Sequence, residues 1–300
     1  MNFPPFLKSG DRVCVLSPSG PVNVEHLDFG IEVLKEWGLD IKIDGQTFAR
    51  KRYLAGDDLE RIKALQDAIE DPDIKAIFCS RGGYGLSRIV DELSFKKLVE
   101  NPKWVVGFSD ISALLLALFE EGVSGALHGP VLKSFSLQKA SLASLRSLLF
   151  DGVQEGIKGK AVGKKKDARG QLWGGNLSLV LSELASDSVH IPDQAVVFLE
   201  DIGEADYRLD RLFTTFKRAA RDIPIAALLL GQFNDCSGVY VNEEEFPAFI
   251  ERLAIELSKT LNCPVIIDMP FGHTHENEPL LLGAQVKVSG DRVTFSGTRP

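Results

Sequence analysis

A serine, two adjacent carboxylates and a pair of histidines, spread along 300 residues, are the side chains here that could do hydrolytic chemistry. Ser109 lies in Lys103-Trp104-Val105-Val106-Gly107-Phe108-Ser109-Asp110-Ile111-Ser112. Glu200 and Asp201 follow the apolar run Ala195 to Leu199. His273 and His275 lie in Asp268-Met269-Pro270-Phe271-Gly272-His273-Thr274-His275. A serine nucleophile needs a base to take its proton, and the base needs a carboxylate to fix its tautomer and stabilise its cation. The order serine, acid, histidine is the one α/β-hydrolases use, and unrelated folds share it.

The elements around Ser109 suit that role. Trp104 to Gly107 reads as a short buried strand, apolar and β-branched and ended by glycine. Ala113 to Phe119 is rich in helix formers, and Gly122 stops it. Ser109 therefore falls on a sharp strand-to-helix turn, which lifts a hydroxyl off the sheet edge and puts the Asp110 N–H at a helix N-terminus, where it can hold an oxyanion. The pattern departs from Gly-x-Ser-x-Gly in having Ile111 at the second glycine. A serine in such a turn also reads as a helix cap.

The remaining elements follow the same rhythm. Strands are expected at Arg12 to Leu16, Ile41 to Ile43, Ile74 to Cys79, Trp104 to Gly107 and Gly125 to Leu127. Helices come between them: Val24 to Trp37, and a helix capped by Asp57 and running to Glu70, with Leu59, Ile62, Leu65 and Ile69 on its buried side. Alternation of this kind implies a parallel sheet with helices on both faces, and ligands bind outside the carboxyl ends of such strands. The turns after the third, fourth and fifth strands would share one rim, making Arg81 to Gly85, Ser109 and His128 neighbours. After a helix over Ser141 to Phe150 the composition changes. Asp151 to Ala168 is rich in glycine and lysine and lacks aromatics. The expected division is a first domain over 1–150, a linker over 151–168 and a second domain over 169–300. A short strand-like piece, Lys160 to Val162, lies inside the linker. The second half begins with a strand over Arg169 to Trp173 and a helix over Leu177 to Leu184. Buried strands follow at Ala195 to Leu199, Ile225 to Leu230 and Val265 to Ile267.

The totals exclude several classes. A net charge of −8 argues against nucleic-acid binding by bulk electrostatics. The four cysteines, Cys14, Cys79, Cys236 and Cys263, have no C-x-x-C spacing and read as buried free thiols in a reducing compartment. Met1 to Lys8 carries two prolines and no long apolar region, so no secretory signal is expected. No run approaches a membrane span. A cytoplasmic protein without a membrane partner is the expectation.

Six segments taken together resemble a known family. They are Arg81-Gly82-Gly83-Tyr84-Gly85; Gly107-Phe108-Ser109-Asp110; His128-Gly129-Pro130; Gly174-Gly175-Asn176-Leu177; Leu199-Glu200-Asp201 with Tyr207-Arg208-Leu209-Asp210-Arg211; and Phe271-Gly272-His273-Thr274. In this order they are similar to the motifs of the LD-carboxypeptidases. These serine peptidases include muramoyltetrapeptide carboxypeptidase and the microcin C immunity protein, and the resemblance spans nearly the whole chain. It implies an α/β fold: a Rossmann-like N-terminal domain with a parallel sheet, and a smaller mixed β/α C-terminal domain. It implies a triad of Ser109, Glu200 and His273, with the serine from the first domain and the acid and base from the second. It also implies a homodimer with no metal and no cofactor.

Each assignment has a competitor. Asp201 rivals Glu200, which matches the family position. His275 and His128 rival His273; a His-x-His pair could bind metal, but no further histidine or cysteine cluster supports that. Gly82 and Gly83 could form a plain turn, yet glycine lets a backbone N–H approach an oxygen closely, so Gly83 joins Asp110 as the expected oxyanion donors. Arg81, Trp173 and Asn176 are candidate substrate contacts. Arg81 could hold a terminal carboxylate or be structural, and Trp173 could equally be packed in the core. The expected activity is hydrolysis of the amide between an L-centre and a C-terminal D-amino acid of a small peptide, as in murein tetrapeptide during wall recycling. The alternatives are an amidase of peptidyl or aminoacyl nucleotides and an inactive module that binds small ligands.

Overall fold

The computed structural model describes residues 3–296. They form two compact units, 3–154 with 277–282 and 155–276 with 283–296. The chain thus passes from the first unit to the second, returns for six residues, and ends its described course in the second.

The first unit alternates strand and helix: β1 (Arg12–Leu16), α1 (Asp28–Glu36), β2 (Asp40–Ile43), α2 (Asp58–Glu70), β3 (Ile74–Cys79), α3 (Lys96–Glu100), β4 (Trp104–Gly107), α4 (Ser112–Glu120), β5 (Ala126–His128) and α5 (Leu142–Asp151). β1, β3, β4 and β5 are apolar almost throughout and buried, as strands covered on both faces must be. All five strands are parallel, in the order β5-β4-β3-β1-β2. Strand succession therefore reverses direction at β1, between β2 on one side and β3 on the other. The crevice at such a reversal, beyond the carboxyl ends of the strands, is where doubly wound sheets bind ligands.

α2 starts as expected. The Asp57 carboxylate accepts the Glu60 N–H at 3.0 Å while the Glu60 carboxylate accepts the Asp57 N–H at 2.7 Å, a reciprocal capping box. Its buried face is partly the one expected: Leu65 and Ile69 face inward, and Ile62 is half-buried. Leu59 is 77% exposed, and Arg61, Ala64 and Ala68 join the inner face.

The second unit holds β6 (Ile157–Lys158), β7 (Lys160–Gly163), β8 (Ala168–Asn176), α6 (Leu177–Leu184), β9 (Val196–Ile202), α7 (Asp206–Ala219), β10 (Ala227–Asn234), α8 (Phe246–Leu261) and β11 (Pro264–Ile267). Then β12 (Leu280–Leu281) pairs antiparallel with β5 in the first unit, and β13 (Gln285–Ser289) and β14 (Arg292–Phe295) complete the second. The eight-stranded order is β6-β14-β13-β8-β9-β10-β11-β7. β8 to β11 form a parallel centre, and antiparallel strands flank it. The segment 151–168, expected as a linker, carries β6 and β7. The strand-like piece expected at Lys160 to Val162 is β7, and the lysine-rich composition reflects edge strands whose alternate side chains face solvent.

Candidate active site

Ser109 sits where β4 ends. Phe108 is extended, and Ser109 turns into the left-handed region at φ 66° before a 3-10 turn, Ser109–Ile111, runs into α4. A residue with a Cβ held at positive φ stores about 1 kcal/mol or more of strain, and such strain concentrates at functional turns. The strain here has a geometric result. Ser109 is partly exposed at the strand end, while Phe108 and Asp110 on either side are buried. The Asp110 side chain turns inward and its Oδ2 accepts the Leu86 N–H at 3.0 Å. Burial pushes the Asp110 carboxyl pKa up, and donors around it, together with the charge of Arg61, pull the other way.

The loop after β3 runs against this turn. A Cβ on Gly82 would lie 2.8 Å from Ser109 Cβ and 3.1 Å from its Oγ, so only glycine permits the approach. Gly83 follows, exposed and at φ 120°. Arg81 is half-buried and donates from Nη1 to the Pro21 carbonyl at 2.9 Å. His128, opposite Gly107 in the β4–β5 register, is buried and packs edge-on against Phe108 with ring centroids 5.8 Å apart.

In the second unit Glu200 and His273 come together. β9 runs two residues beyond Glu200, and alternation along it sends Phe198 and Glu200 to one face and Asp201 to the other. On the first face Phe271 is fully buried and meets Phe198 edge-on at 5.7 Å. The Phe271 carbonyl accepts the Gln232 N–H, and the Met269 N–H donates to the Leu230 carbonyl, which stitches the loop after β11 to the end of β10. Gly272 has φ 116°, and a Cβ there would sit 3.0 Å from Glu200 Oε2. The next residue, His273, meets that oxygen through Nδ1 at 2.7 Å. A carboxylate only accepts, so Nδ1 carries the proton and Nε2 has the lone pair. Burial alone would lower the His273 pKa. The charge and hydrogen bond of Glu200, with the charge of Asp201, outweigh it and raise the pKa above the ordinary histidine value.

Asp201 is engaged elsewhere. Its Oδ1 accepts from Asn176 Nδ2 and the Ile202 N–H, and its Oδ2 from the Ser178 N–H, all at 2.9 Å. The Asn176 side chain in turn caps α6 through the Leu179 N–H. Asn176 and Trp173 are both buried, Trp173 fully. Their positions are those of a cap and a core residue. His275 is exposed, and among the described residues no group of three or more His, Cys, Asp or Glu side chains could hold a metal ion.

Sequence reasoning missed two features of the first unit, at the loop after β3. Tyr53 and Tyr84 are exposed and meet at a tilt of 57° with ring centroids 5.8 Å apart, Tyr84 lying between Gly83 and Gly85. Arg61, on α2, reaches the same loop from inside. A lone tyrosine and a surface-type cation on a helix carry no pattern that announces either.

Family models match both halves of the chain: the LD-carboxypeptidase N-terminal domain over residues 13–129 and the LD-carboxypeptidase C-terminal domain over residues 169–288. The murein tetrapeptide carboxypeptidase of Pseudomonas aeruginosa is 31% identical, with 95% of each chain covered. The crystal structure of a muramoyltetrapeptide carboxypeptidase from Oxalobacter formigenes superposes with a TM-score of 0.80 at 25% identity, covering 96% of this chain and 99% of that one. MccF in complex with glutamyl sulfamoyl guanosine shares the fold, with a TM-score of 0.86 at 20% identity and 99% of each chain covered. The chain belongs to the LD-carboxypeptidase family of serine peptidases.

Proposed function

We propose that the chain is a cytoplasmic carboxypeptidase that hydrolyses the amide between an L-configured centre and a C-terminal D-amino acid, releasing D-Ala from murein tetrapeptide in wall recycling. Ser109 is the nucleophile, His273 the base and Glu200 the acid that orients it. The observation that carries the reading is the 2.7 Å pair of His273 Nδ1 and Glu200 Oε2, which leaves Nε2 as the proton acceptor. The left-handed turn at Ser109 supports the nucleophile assignment.

In this mechanism His273 Nε2 takes the Ser109 proton as Oγ attacks the carbonyl. The Asp110 and Gly83 N–H groups hold the oxyanion. The imidazolium then gives its proton to the departing amine, and water, activated by the same nitrogen, hydrolyses the acyl-enzyme. The net charge of −8 fits a small peptide partner and not a nucleic acid. No described helix is long and apolar enough to cross a membrane. A homodimer completes the reading, on the family resemblance alone.

The names of relatives keep one rival in view, an amidase of aminoacyl nucleotides. Such an amidase would need an aromatic platform for the base, and Trp173, the candidate for it, is fully buried, which weighs against this reading. Assay of murein tetrapeptide beside an aminoacyl-sulfamoyl adenosine separates the two. Release of D-Ala at the higher kcat/KM supports the carboxypeptidase, and preference for the nucleotide analogue refutes it.

A further inference from the structure

Arg61 is a buried cation on α2 that the mechanism above does not use. It has no exposed surface. Its Nη1 donates to two carbonyls, Pro18 in the loop after β1 and Gly85 in the loop after β3, both at 2.8 Å. Its Nη2 donates to Asp58 Oδ1, and the other oxygen of Asp58 is held by the exposed Arg88. These two loops flank the reversal in strand order, the crevice where such sheets bind ligands.

The atoms around Gly85 are arranged in a chain. The Gly85 carbonyl and the Leu86 N–H belong to one peptide group. Arg61 holds its oxygen, and the Asp110 carboxylate holds its hydrogen at 3.0 Å. One peptide thus bridges a buried cation and a buried anion, and the anion is the residue after Ser109. The same loop is fixed at its other end, where the Gly82 carbonyl accepts the Gly20 N–H at 3.1 Å. Gly83 lies between the two fixed points. Gly85 itself must lack a side chain, since a Cβ would stand 2.7 Å from Arg61 Nη1. A buried, multiply bonded arginine is costly to desolvate, and hydrophobic residues would fill α2's inner face at less cost. Its geometry, a guanidinium whose Nη1 reaches both loop carbonyls while Nη2 is held by Asp58, is what a hydrophobic residue could not supply.

We infer that Arg61 is a positioning residue for the reaction: it fixes, through the Gly85–Leu86 peptide and Asp110, the place of the Gly83 N–H relative to the Ser109 turn. This rests on the reading of Ser109 as nucleophile and Gly83 as oxyanion donor. Lysine keeps the charge, but its one nitrogen ends a bond short of the Nη1 position, so it cannot hold both carbonyls and Asp58 in the same places. Loss of one oxyanion donor costs about 10²- to 10³-fold in kcat, and a donor displaced rather than removed costs less.

The test is kcat per active site, with sites counted by exhaustive fluorophosphonate labelling of Ser109. Arg61→Lys and Arg61→Met should lower kcat per labelled site by about 10- to 100-fold, with KM within about threefold of wild type. Arg88→Met should stay within about threefold in both, because the exposed side chain touches Asp58 but neither loop carbonyl, and the Arg88 N–H that donates to the Gly85 carbonyl is kept. Arg61→Met and Asp110→Asn should be less than additive, since both act on one peptide. A purely structural arginine would lower the melting temperature and the labelled fraction and leave kcat per labelled site unchanged. That outcome in Arg61→Lys overturns the inference. Should both Arg61 variants fail to fold, Asp58→Ala replaces them. It frees Arg61 Nη2 from a partly exposed position, and a fall of about 3- to 10-fold at constant KM supports the inference while a wild-type kcat overturns it. Wild-type enzyme that stays unlabelled, with activity surviving in Ser109→Ala, would instead discard the nucleophile assignment.

Discussion

His273 Nδ1 stands 2.7 Å from Glu200 Oε2, and Asp201, the next residue along β9, points to the opposite face and holds Asn176 and the first turn of α6. Two adjacent carboxylates thus have separate tasks. Glu200→Gln should keep the fold and lower kcat by about 10²- to 10⁴-fold, through loss of tautomer control and of imidazolium stabilisation. Asp201→Asn should stay within about tenfold in kcat, and its cost should appear in stability, because an amide N–H₂ then faces a backbone donor. Circular dichroism and thermal melting of both variants, beside their kinetics, check this. A crippled Asp201→Asn with a nearly normal Glu200→Gln would refute it.

The base must be neutral to accept the serine proton. Because Glu200 and Asp201 raise the His273 pKa despite burial, kcat/KM should increase with pH through an apparent pKa above the ordinary histidine value of about 6.5. Replacing Glu200 with Gln should move that midpoint down. A midpoint in wild type below about 6, or one unmoved in Glu200→Gln, would contradict the pairing.

Asp201 gives a second dependence on pH, read in stability. Burial, with the charge of Glu200 next and hydrogen bonds opposing, pushes its pKa up to about 6. An unfolded aspartate titrates near 3.9. Between those values the native state keeps a proton that the unfolded state has lost, so stability falls as pH rises through the window, by up to about 3 kcal/mol. Asp201→Asn removes the titration. The stability of wild type minus that of the variant should therefore decline from about pH 4 to pH 6 and level off above it. A difference that is flat or rises over that range, in chemical denaturation, contradicts the assignment.

Gly82 tests the approach of the loop to the nucleophile. An added Cβ meets Ser109 Cβ at 2.8 Å and Oγ at 3.1 Å. Gly82→Ala should lower kcat by about 10²-fold or more and stability by about 1 to 3 kcal/mol, since the loop and the turn must part. Wild-type kcat in that variant would mean that the two are not in catalytic register.

Much of this could be read from the chain, and the exceptions share a physical cause. The run Ala195 to Leu199 announces a strand, and alternation along its continuation separates Glu200 from Asp201. Glycine at 272 and the apolar Phe271 mark the turn that presents His273, although the contact with Phe198 joins residues far apart in sequence. β12 is two residues long and finds its partner β5 some 150 positions away, so no local pattern reveals it. In the lysine-rich stretch 151–168 only Lys160 to Val162 reads as strand-like and β6 does not, because edge strands with one solvated face resemble loops in composition. Arg61 is hidden for the opposite reason. Periodicity places leucine and isoleucine inside, whereas α2 turns Leu59 out and buries an arginine whose partners are carbonyls of two distant loops. Backbone acceptors leave no trace in a sequence.

If Ser109 attacks the scissile carbonyl, the decisive measurement is D-Ala release from murein tetrapeptide by Ser109→Ala, beside binding of the same peptide by calorimetry. The account predicts kcat lower by at least about 10³-fold with Kd within a few-fold of wild type. Turnover within about tenfold of wild type, or activity abolished by EDTA in the unmodified enzyme, would contradict it.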